Sequence, residues 1–305
     1  MRRISSSVVA VAAALALTLT ACSKPADQAP PAPSAAFPVT VGGATLAQKP
    51  THIVSLSATA TEMLFAIDAG SQVTAVDETS NYPTNAPKTD LSSFKPNAEA
   101  IAAKQPDLVV LSDDLDHIVD QLKTLKIPVY VAPAAKTLDD SYAQIADLGK
   151  LTGHPQEATA LAQRMRDDIG KLVKDAPKRT TPLKFYYELD DTYYSVTSKS
   201  FIGSLFASVG LVNIADGSGT ADNPYPQLSA ENIVKANPDL IFLADTKCCG
   251  QSLATVGQRA GWGNLAAVKG GQVIGLDDDI ASRWGPRVVD LMRAITTAMA
   301  KAPVS

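Results

Sequence analysis

Two stretches of this chain, displaced by 132 positions, are nearly the same. Ala98-Glu99-Ala100-Ile101 precedes Pro106-Asp107-Leu108-Val109, and Ala230-Glu231-Asn232-Ile233 precedes Pro238-Asp239-Leu240-Ile241. A looser echo pairs Leu64-Phe65-Ala66 with Leu205-Phe206-Ala207. Pro-Asp-Leu ahead of an apolar strand is by itself a common way to leave a helix. The whole string Ala-Glu-x-Ile-x4-Pro-Asp-Leu, met twice, is harder to dismiss and argues for one helix–strand unit used in two related halves.

The surroundings of the repeat agree. Short β-branched runs alternate with longer helical patterns, the signature of a parallel-sheet α/β fold. Strands are expected at 53–56, 73–76, 108–111 and 129–131, and helices at 59–69, 97–104, 115–125 and 138–151. From 155 to 174 Ala158, Leu161, Ala162, Met165, Ile169, Leu172 and Val173 recur at three- and four-residue steps, the pattern of a long amphipathic helix. Pro155 suits its first turn and Pro177 marks its end. Beyond it the alternation resumes, with strands at 184–188, 193–197, 240–244 and 273–276 and helices at 201–209 and 288–299. The expected architecture is α/β: two Rossmann-like lobes joined by a single long backbone helix. The lobes are placed at 37–154 and 178–305, and the linking helix at 155–177.

The first residues speak to compartment. Arg2 and Arg3 precede an apolar run from Val8 that ends in Leu19-Thr20-Ala21-Cys22. A basic head, a short apolar core and a small residue before the cut is the layout of a secretory signal, here 1–21, and is short for a membrane span. Leu-Thr-Ala-Cys resembles the bacterial lipobox, which makes Cys22 the candidate lipidation site; an ordinary signal with an incidental cysteine is the alternative. Residues 22–36 hold four prolines and no apolar periodicity. They form an expected tether of about 3 Å per residue. The expected location is the outer face of the cytoplasmic membrane, lipid-anchored through Cys22.

Composition removes several function classes. Lys and Arg total 27 against 31 Asp and Glu, and no basic cluster lies beyond the leader, so nucleic acid is not an expected partner. With three histidines and three cysteines, neither a disulfide framework nor a cysteine-rich zinc site is available. There is no Gly-x-Ser-x-Gly elbow, HExxH, Walker loop or dinucleotide fingerprint, so no enzyme activity and no cofactor are expected.

At a further set of residues a resemblance becomes specific. Ile53-Val54-Ser55-Leu56-Ser57-Ala58-Thr59-Ala60-Thr61-Glu62 opens it, followed by Asp77-Glu78-Thr79-Ser80-Asn81-Tyr82-Pro83. Both repeat segments, Pro226-Gln227-Leu228-Ser229 and Arg283-Trp284-Gly285-Pro286-Arg287 complete it. In order and spacing these resemble the helical-backbone solute-binding proteins that serve ferric-siderophore, haem and cobalamin ABC importers, over about residues 50–303. The resemblance implies a cleft between the lobes, a rigid connecting helix that permits modest closure, and an ABC permease dimer as partner. It also places Glu99 and Glu231 where each meets arginines of one permease subunit. Without that partner, each is simply an acid near a helix start, favoured by the dipole.

Ligand contacts are expected from loops that follow the strands, where open α/β sheets bind. The candidates are Tyr82, Tyr187, Tyr193, Tyr194, Tyr225, Arg283, Trp284 and Arg287. Tyrosine and tryptophan offer flat apolar area with a polar handle, and arginine suits the oxygens of an anionic chelate. Adjacency leaves open which of Tyr186 and Tyr187, and which of Tyr193 and Tyr194, faces the cleft; Arg287 alternatively anchors the last helix. The two arginines tilt the expected ligand toward a ferric siderophore, with haem or cobalamin as the alternatives, and the chain is expected to act as a monomer. Cys248-Cys249 after a predicted strand allows a vicinal disulfide, two free thiols or an intermolecular bridge. A zinc or manganese binder is the nearest rival. It needs converging His, Asp or Glu ligands, and Asp113, Asp114 and His117 offer a fragment at best, so no metal site is expected.

Overall fold

The computed structural model describes residues 37–220 and 223–303. The expectations for a cleaved leader, a lipidated Cys22 and a tether lie outside the described residues. Among those described, no helix is long and apolar enough to cross a membrane.

The chain enters through an antiparallel hairpin, β1 (Val39–Val41) and β2 (Ala44–Leu46). Gly42 and Gly43 make its turn, both at positive φ (55° and 85°), where glycine carries no Cβ penalty. Then come β3 (Ile53–Leu56), α1 (Ala58–Ala66), β4 (Val73–Val76), α2 (Ala98–Ala102), β5 (Leu108–Leu111), α3 (Ile118–Thr124), β6 (Val129–Val131) and α4 (Leu138–Thr152). The four strands from β3 to β6 form one parallel sheet in the order β4-β3-β5-β6. Helix α5 (Pro155–Asp175), about 30 Å long at 1.5 Å per residue, leads to the second half.

That half contains β7 (Lys184–Glu188), α6 (Phe201–Ser208), β8 (Val212–Asn213), α7 (Ala230–Ala236), β9 (Leu240–Leu243), α8 (Leu253–Gly257), α9 (Ala266–Lys269), β10 (Val273–Gly275), α10 (Asp278–Ser282) and α11 (Val288–Lys301). Its sheet, also parallel, has the order β10-β9-β7-β8. The fold is therefore α/β with two parallel-sheet lobes, and the repeat falls on matching places. Ile53 pairs with Leu108 in one sheet, and Phe185 with Leu240 in the other, at the same displacement of 132.

Side chains alternate across each strand, so each sheet buries two faces. In the first lobe Ile53, Leu108 and Val110 face one way, while Val54, Leu56, Val109 and Leu111 pack under Ile101 and Ile118 on the other. In the second, Phe185 and Phe242 face the first cluster, and Tyr186, Ile241 and Leu243 pack with Ile233 and Trp262. The first cluster is shared: it runs through Met165 and Ile169 of α5 and Met292 and Ile295 of α11 from one sheet to the other. Helices start on side-chain caps. Ser57, Asn97, Ser200 and Ser229 each accept a backbone N–H two or three residues into their helix, and Thr137 and Asp140 form a capping box on α4.

Two sequence expectations are corrected. Residues 193–197 form no strand of a sheet. They run alongside residues 224–228, with Ser195 N–H donating to the Pro226 carbonyl and Thr197 N–H to that of Pro224. Pro224 and Pro226 have no N–H to return, so the ladder reduces to a single bridge, Tyr194 to Gln227. The helix expected at 115–125 begins at Ile118, because Asp116 and His117 take positive φ (54° and 56°).

Candidate ligand cleft

Both sheets are parallel, so each lobe gathers its loops at the carboxyl ends of its strands. Four exposed aromatic side chains stand on those loops: Tyr82 and Phe94 after β4, Tyr194 after β7, and Tyr225 after β8, from 41% to 71% exposed. Phe94 is the most exposed of them at 71%. It was missed by sequence reasoning, although an aromatic in Ser-Ser-Phe-Lys-Pro, among turn formers, has no helix or strand face on which to hide.

The remaining candidates are placed differently. Tyr187 is wholly buried; its ring meets Phe206 edge-on and its hydroxyl donates to the Ala281 carbonyl at 2.8 Å. Tyr186 is buried too, against Trp262. The question of which one faces the cleft dissolves, because a central parallel strand is covered on both sides. Tyr193, half-buried, stacks on Trp262 with centroids 5.7 Å apart, so Tyr194 is the exposed member of its pair. Trp284 is turned into the first lobe, its indole N–H donating to Gln144 Oε1 at 2.8 Å and its carbonyl accepting from Ser141 Oγ.

Arg283 and Arg287 form a latch between lobes. Arg283 donates to Glu62 Oε1 at 2.8 Å, Asn81 Oδ1 at 3.0 Å, the Thr79 carbonyl at 3.0 Å and Asp279 Oδ1 at 2.7 Å. Arg287 closes on the same Glu62 with two bonds, 3.0 and 2.5 Å, and its guanidinium lies 4.3 Å from the Tyr82 ring centroid. Glu62 is only 3% exposed, and it is the second residue that sequence reasoning passed over. An acid amid Ala-Thr-Ala-Thr-Glu-Met-Leu-Phe-Ala, apolar nearly all round, signals a buried charge that must be paired. Tyr82, Phe65, Pro286, Arg287 and Asp290 surround a depression of about 360 Å³ beside this latch.

The electrostatics follow from these pairs. Lys247 Nζ sits 2.8 Å from Asp277 and 3.0 Å from Asp279. Burial works against ionisation of Asp279, but hydrogen bonds from Lys247 and Asn81 and the Arg283 charge outweigh it and hold the carboxyl below its usual range. The hydrogen bonds that Arg287 donates to Glu62 push the pKa of its guanidinium above the usual value. Three cations (Lys247, Arg283, Arg287) thus meet three carboxylates (Glu62, Asp277, Asp279), so this set of charges is balanced within itself.

Beneath the second lobe's loops lies a separate buried set. Glu188, the last residue of β7 and wholly buried, accepts two 2.6 Å bonds from Arg259. Asp245, just past β9, is also buried, and neither of its carboxyl oxygens meets a donor. Burial, with the nearby Glu188 charge adding to it, pushes Asp245 up to about 7. Cys248 and Cys249 follow in an exposed loop and are joined by a disulfide.

The acids of the repeat lie on the surface. Glu99 and Glu231 stand in the first turns of α2 and α7, exposed, and neither makes an ion pair among the described residues. The metal fragment does not assemble. Asp113 and Asp114 accept backbone N–H groups of Asp114 and Val119, and no group of three or more His, Cys, Asp or Glu suited to a metal occurs among the described residues.

With this geometry in hand, the relatives are informative. A cobalamin-binding protein of Halobacterium salinarum is 29% identical, over 94% of this chain and 83% of its own length. An uncharacterized ABC transporter substrate-binding lipoprotein of Bacillus subtilis is 28% identical, over 90% of both. The crystal structure of the periplasmic vitamin B12 binding protein of Vibrio cholerae superposes with a TM-score of 0.66 at 26% identity, covering 82% of this chain and 96% of that one. The periplasmic heme binding protein of Vibrio cholerae shares the fold at a TM-score of 0.72 and 22% identity, covering 81% and 98%. The periplasmic binding protein family matches residues 53–280, from the first strand of one sheet to α10 beyond the last strand of the other. The chain belongs to that family, a family of solute-binding proteins and not of enzymes.

Proposed function

We propose that this protein captures a cobalamin-type corrinoid between its lobes, outside the cytoplasmic membrane, and delivers it to an ABC importer. The observation that carries the choice of ligand is the pairing of Arg283 and Arg287 with Glu62 and Asp279. Those arginines were the reason to expect an anionic ferric siderophore. Held by carboxylates, they are not free to meet a polyanionic chelate, while the exposed rings of Tyr82, Phe94, Tyr194 and Tyr225 suit a large, flat ligand. The relatives named for cobalamin and vitamin B12 support the same reading.

The test is a titration of the purified protein with cyanocobalamin, haemin and a ferric catecholate siderophore, followed by tryptophan and tyrosine fluorescence. Saturable quenching by cyanocobalamin is expected, weakened by roughly 1–3 kcal/mol in Phe94→Ala or Tyr225→Ala, the scale of one buried aromatic surface lost. Saturable binding of the siderophore or haemin with none of cyanocobalamin would overturn it.

Glu99 and Glu231 act as the two docking points for a permease dimer in this reading, supported by their exposure, their lack of an ion pair among the described residues and their matched positions. Cys22 carries the lipid, supported by Leu-Thr-Ala-Cys. In cells that take up the ligand through this protein, the double change Glu99→Ala with Glu231→Ala should abolish uptake while binding by the purified protein stays at the wild-type level. Normal uptake, or lost binding, removes the docking assignment.

A further inference from the structure

The loop after β9 is bound to the interlobe latch by a continuous hydrogen-bonded path. It reads Asp245-Thr246-Lys247-Cys248-Cys249-Gly250-Gln251-Ser252. The backbone N–H groups of Thr246, Lys247 and Cys248 all donate to one carboxylate, Asp278, at 2.9, 3.0 and 3.0 Å. Those of Cys249 and Gln251 both donate to the Asp245 carbonyl at 3.3 Å, around Gly250 at a φ of +66°. Asp278 opens α10, and its neighbour Asp279 holds Lys247 and Arg283. Arg283 then crosses to Glu62, Thr79 and Asn81 in the first lobe.

In the middle of this loop Cys248 and Cys249 are disulfide-bonded and exposed. A disulfide between neighbours closes a small ring around the peptide that joins them, so backbone states open to the dithiol form are denied to the oxidised form. An exposed sulfur is also open to attack by a thiolate. The exchange balances with an external dithiol alone. One reagent thiolate attacks the Sγ of either cysteine, the S–S bond breaks, and the electron pair leaves on the other Sγ, which takes up a proton. The second reagent thiol, losing its proton, displaces the mixed disulfide and frees the first cysteine as its thiolate, which is protonated. Two electrons and two protons pass to the protein, and the reagent ends as its own disulfide.

We propose that Cys248–Cys249 is a thiol–disulfide exchange site whose state sets the order of loop 245–252 and, through Asp278 and Asp279, the hold of Arg283 on the first lobe. Its effect on ligand affinity rests on the reading that the cleft takes a corrinoid; its effect on the loop does not.

The experiment treats the full-length protein with dithiothreitol, counts thiols on the peptide carrying Cys248 and Cys249, and follows backbone hydrogen exchange and cyanocobalamin affinity in both states. Two thiols should appear without unfolding, and the amides of 246–249 should exchange about tenfold faster or more once reduced, as expected for a segment that opens locally. The double variant Cys248→Ser, Cys249→Ser should show the fast pattern without reductant and ignore it when added. Cyanocobalamin affinity should shift by about threefold or more on reduction. A disulfide that stays intact in the folded protein, or equal exchange in the two states, overturns the proposal. Exchange that changes while cyanocobalamin binds in neither state sinks the corrinoid reading and leaves the exchange site standing.

Discussion

The two lobes are built alike at one end of their strands and differently at the other. At the amino ends, the repeat performs the same task twice. Asn97 or Ser229 caps a short helix, Ile101 or Ile233 is buried beneath it, and an aspartate after proline ties the new strand to its neighbour. Asp107 accepts from Thr51 N–H at 2.7 Å and His52 N–H at 2.9 Å, just before β3; Asp239 accepts from Lys184 N–H at 2.8 Å, at the start of β7. At the carboxyl ends the first lobe closes with hydroxyls gathered around one buried carboxylate, Asp77. Thr61 donates to Ser55 Oγ at 2.9 Å, and Thr79 and Ser80 donate to Asp77. The second lobe closes with charge: Glu188, Asp245 and Arg259, with the Arg259 guanidinium 4.6 Å from the Trp262 ring centroid. The difference teaches that a shared frame tolerates two unlike polar interiors, and that the one with an arginine-paired Glu188 beside an unpartnered Asp245 is more exposed to single changes and to pH.

The comparison breaks most easily at Arg259. Arg259→Ala leaves Glu188 buried without its cation and should destabilise the protein by about 3–5 kcal/mol, read from chemical denaturation midpoints. A loss under 1 kcal/mol would mean that the second lobe does not depend on this pair.

A smaller effect belongs to Asp245. Its carboxyl is held near 7 in the fold, against 3.8 in the free side chain. Between those values the folded protein keeps a proton that the unfolded chain has released, so stability falls as pH rises from about 4 to 7 and levels off above. Asp245→Asn removes that slope, which reaches about 1.4 kcal/mol per pH unit for one proton. Denaturation of both proteins at pH 5 and pH 8 should show the Asn variant gaining on the wild type at the higher pH. Parallel curves would place the proton elsewhere.

The hydroxyl interior should respond more mildly. Ser80→Ala removes a donor from Asp77 and a partner from Thr61 and should cost about 1–2 kcal/mol, read from chemical denaturation midpoints. A loss as large as that of Arg259→Ala would erase the contrast between lobes. Smallest of all, Glu99→Ala or Glu231→Ala should change stability by no more than about 0.5 kcal/mol, since each acid is exposed at a helix start and makes no ion pair among the described residues. Unequal effects at the two positions would show that the repeat is not equivalent in the two lobes.

Much of the frame was legible in the residues. Strands such as 108–111 are unbroken apolar runs, α5 carries a long three-and-four periodicity, and the displacement of 132 announced the second lobe. The site was read only in part, because an arginine after a strand looks the same whether it awaits a ligand or is already held by an acid 221 residues away. Tyr187 misled for a related reason: on a doubly covered strand a tyrosine is buried on whichever face it lies, and only its carbonyl partner on Ala281 reveals how its hydroxyl is satisfied. The strand expected at 193–197 failed because the partner segment carries two prolines, a fact that single-strand propensity does not weigh.

The apolar cluster that passes through α5 and α11 into both sheets bears on how this chain melts. Two lobes of separate sheets invite the expectation of two heat-absorption peaks. Here Met165, Ile169, Met292 and Ile295 belong to the interiors of both halves at once, so neither half can lose its packing without stripping part of the other's. The natural cooperative unit is the whole two-lobed body, a single calorimetric transition whose enthalpy scales with all of its residues. A ligand gripped by either rim would therefore raise one shared melting temperature, and the heat of that one event would be a property of the pair.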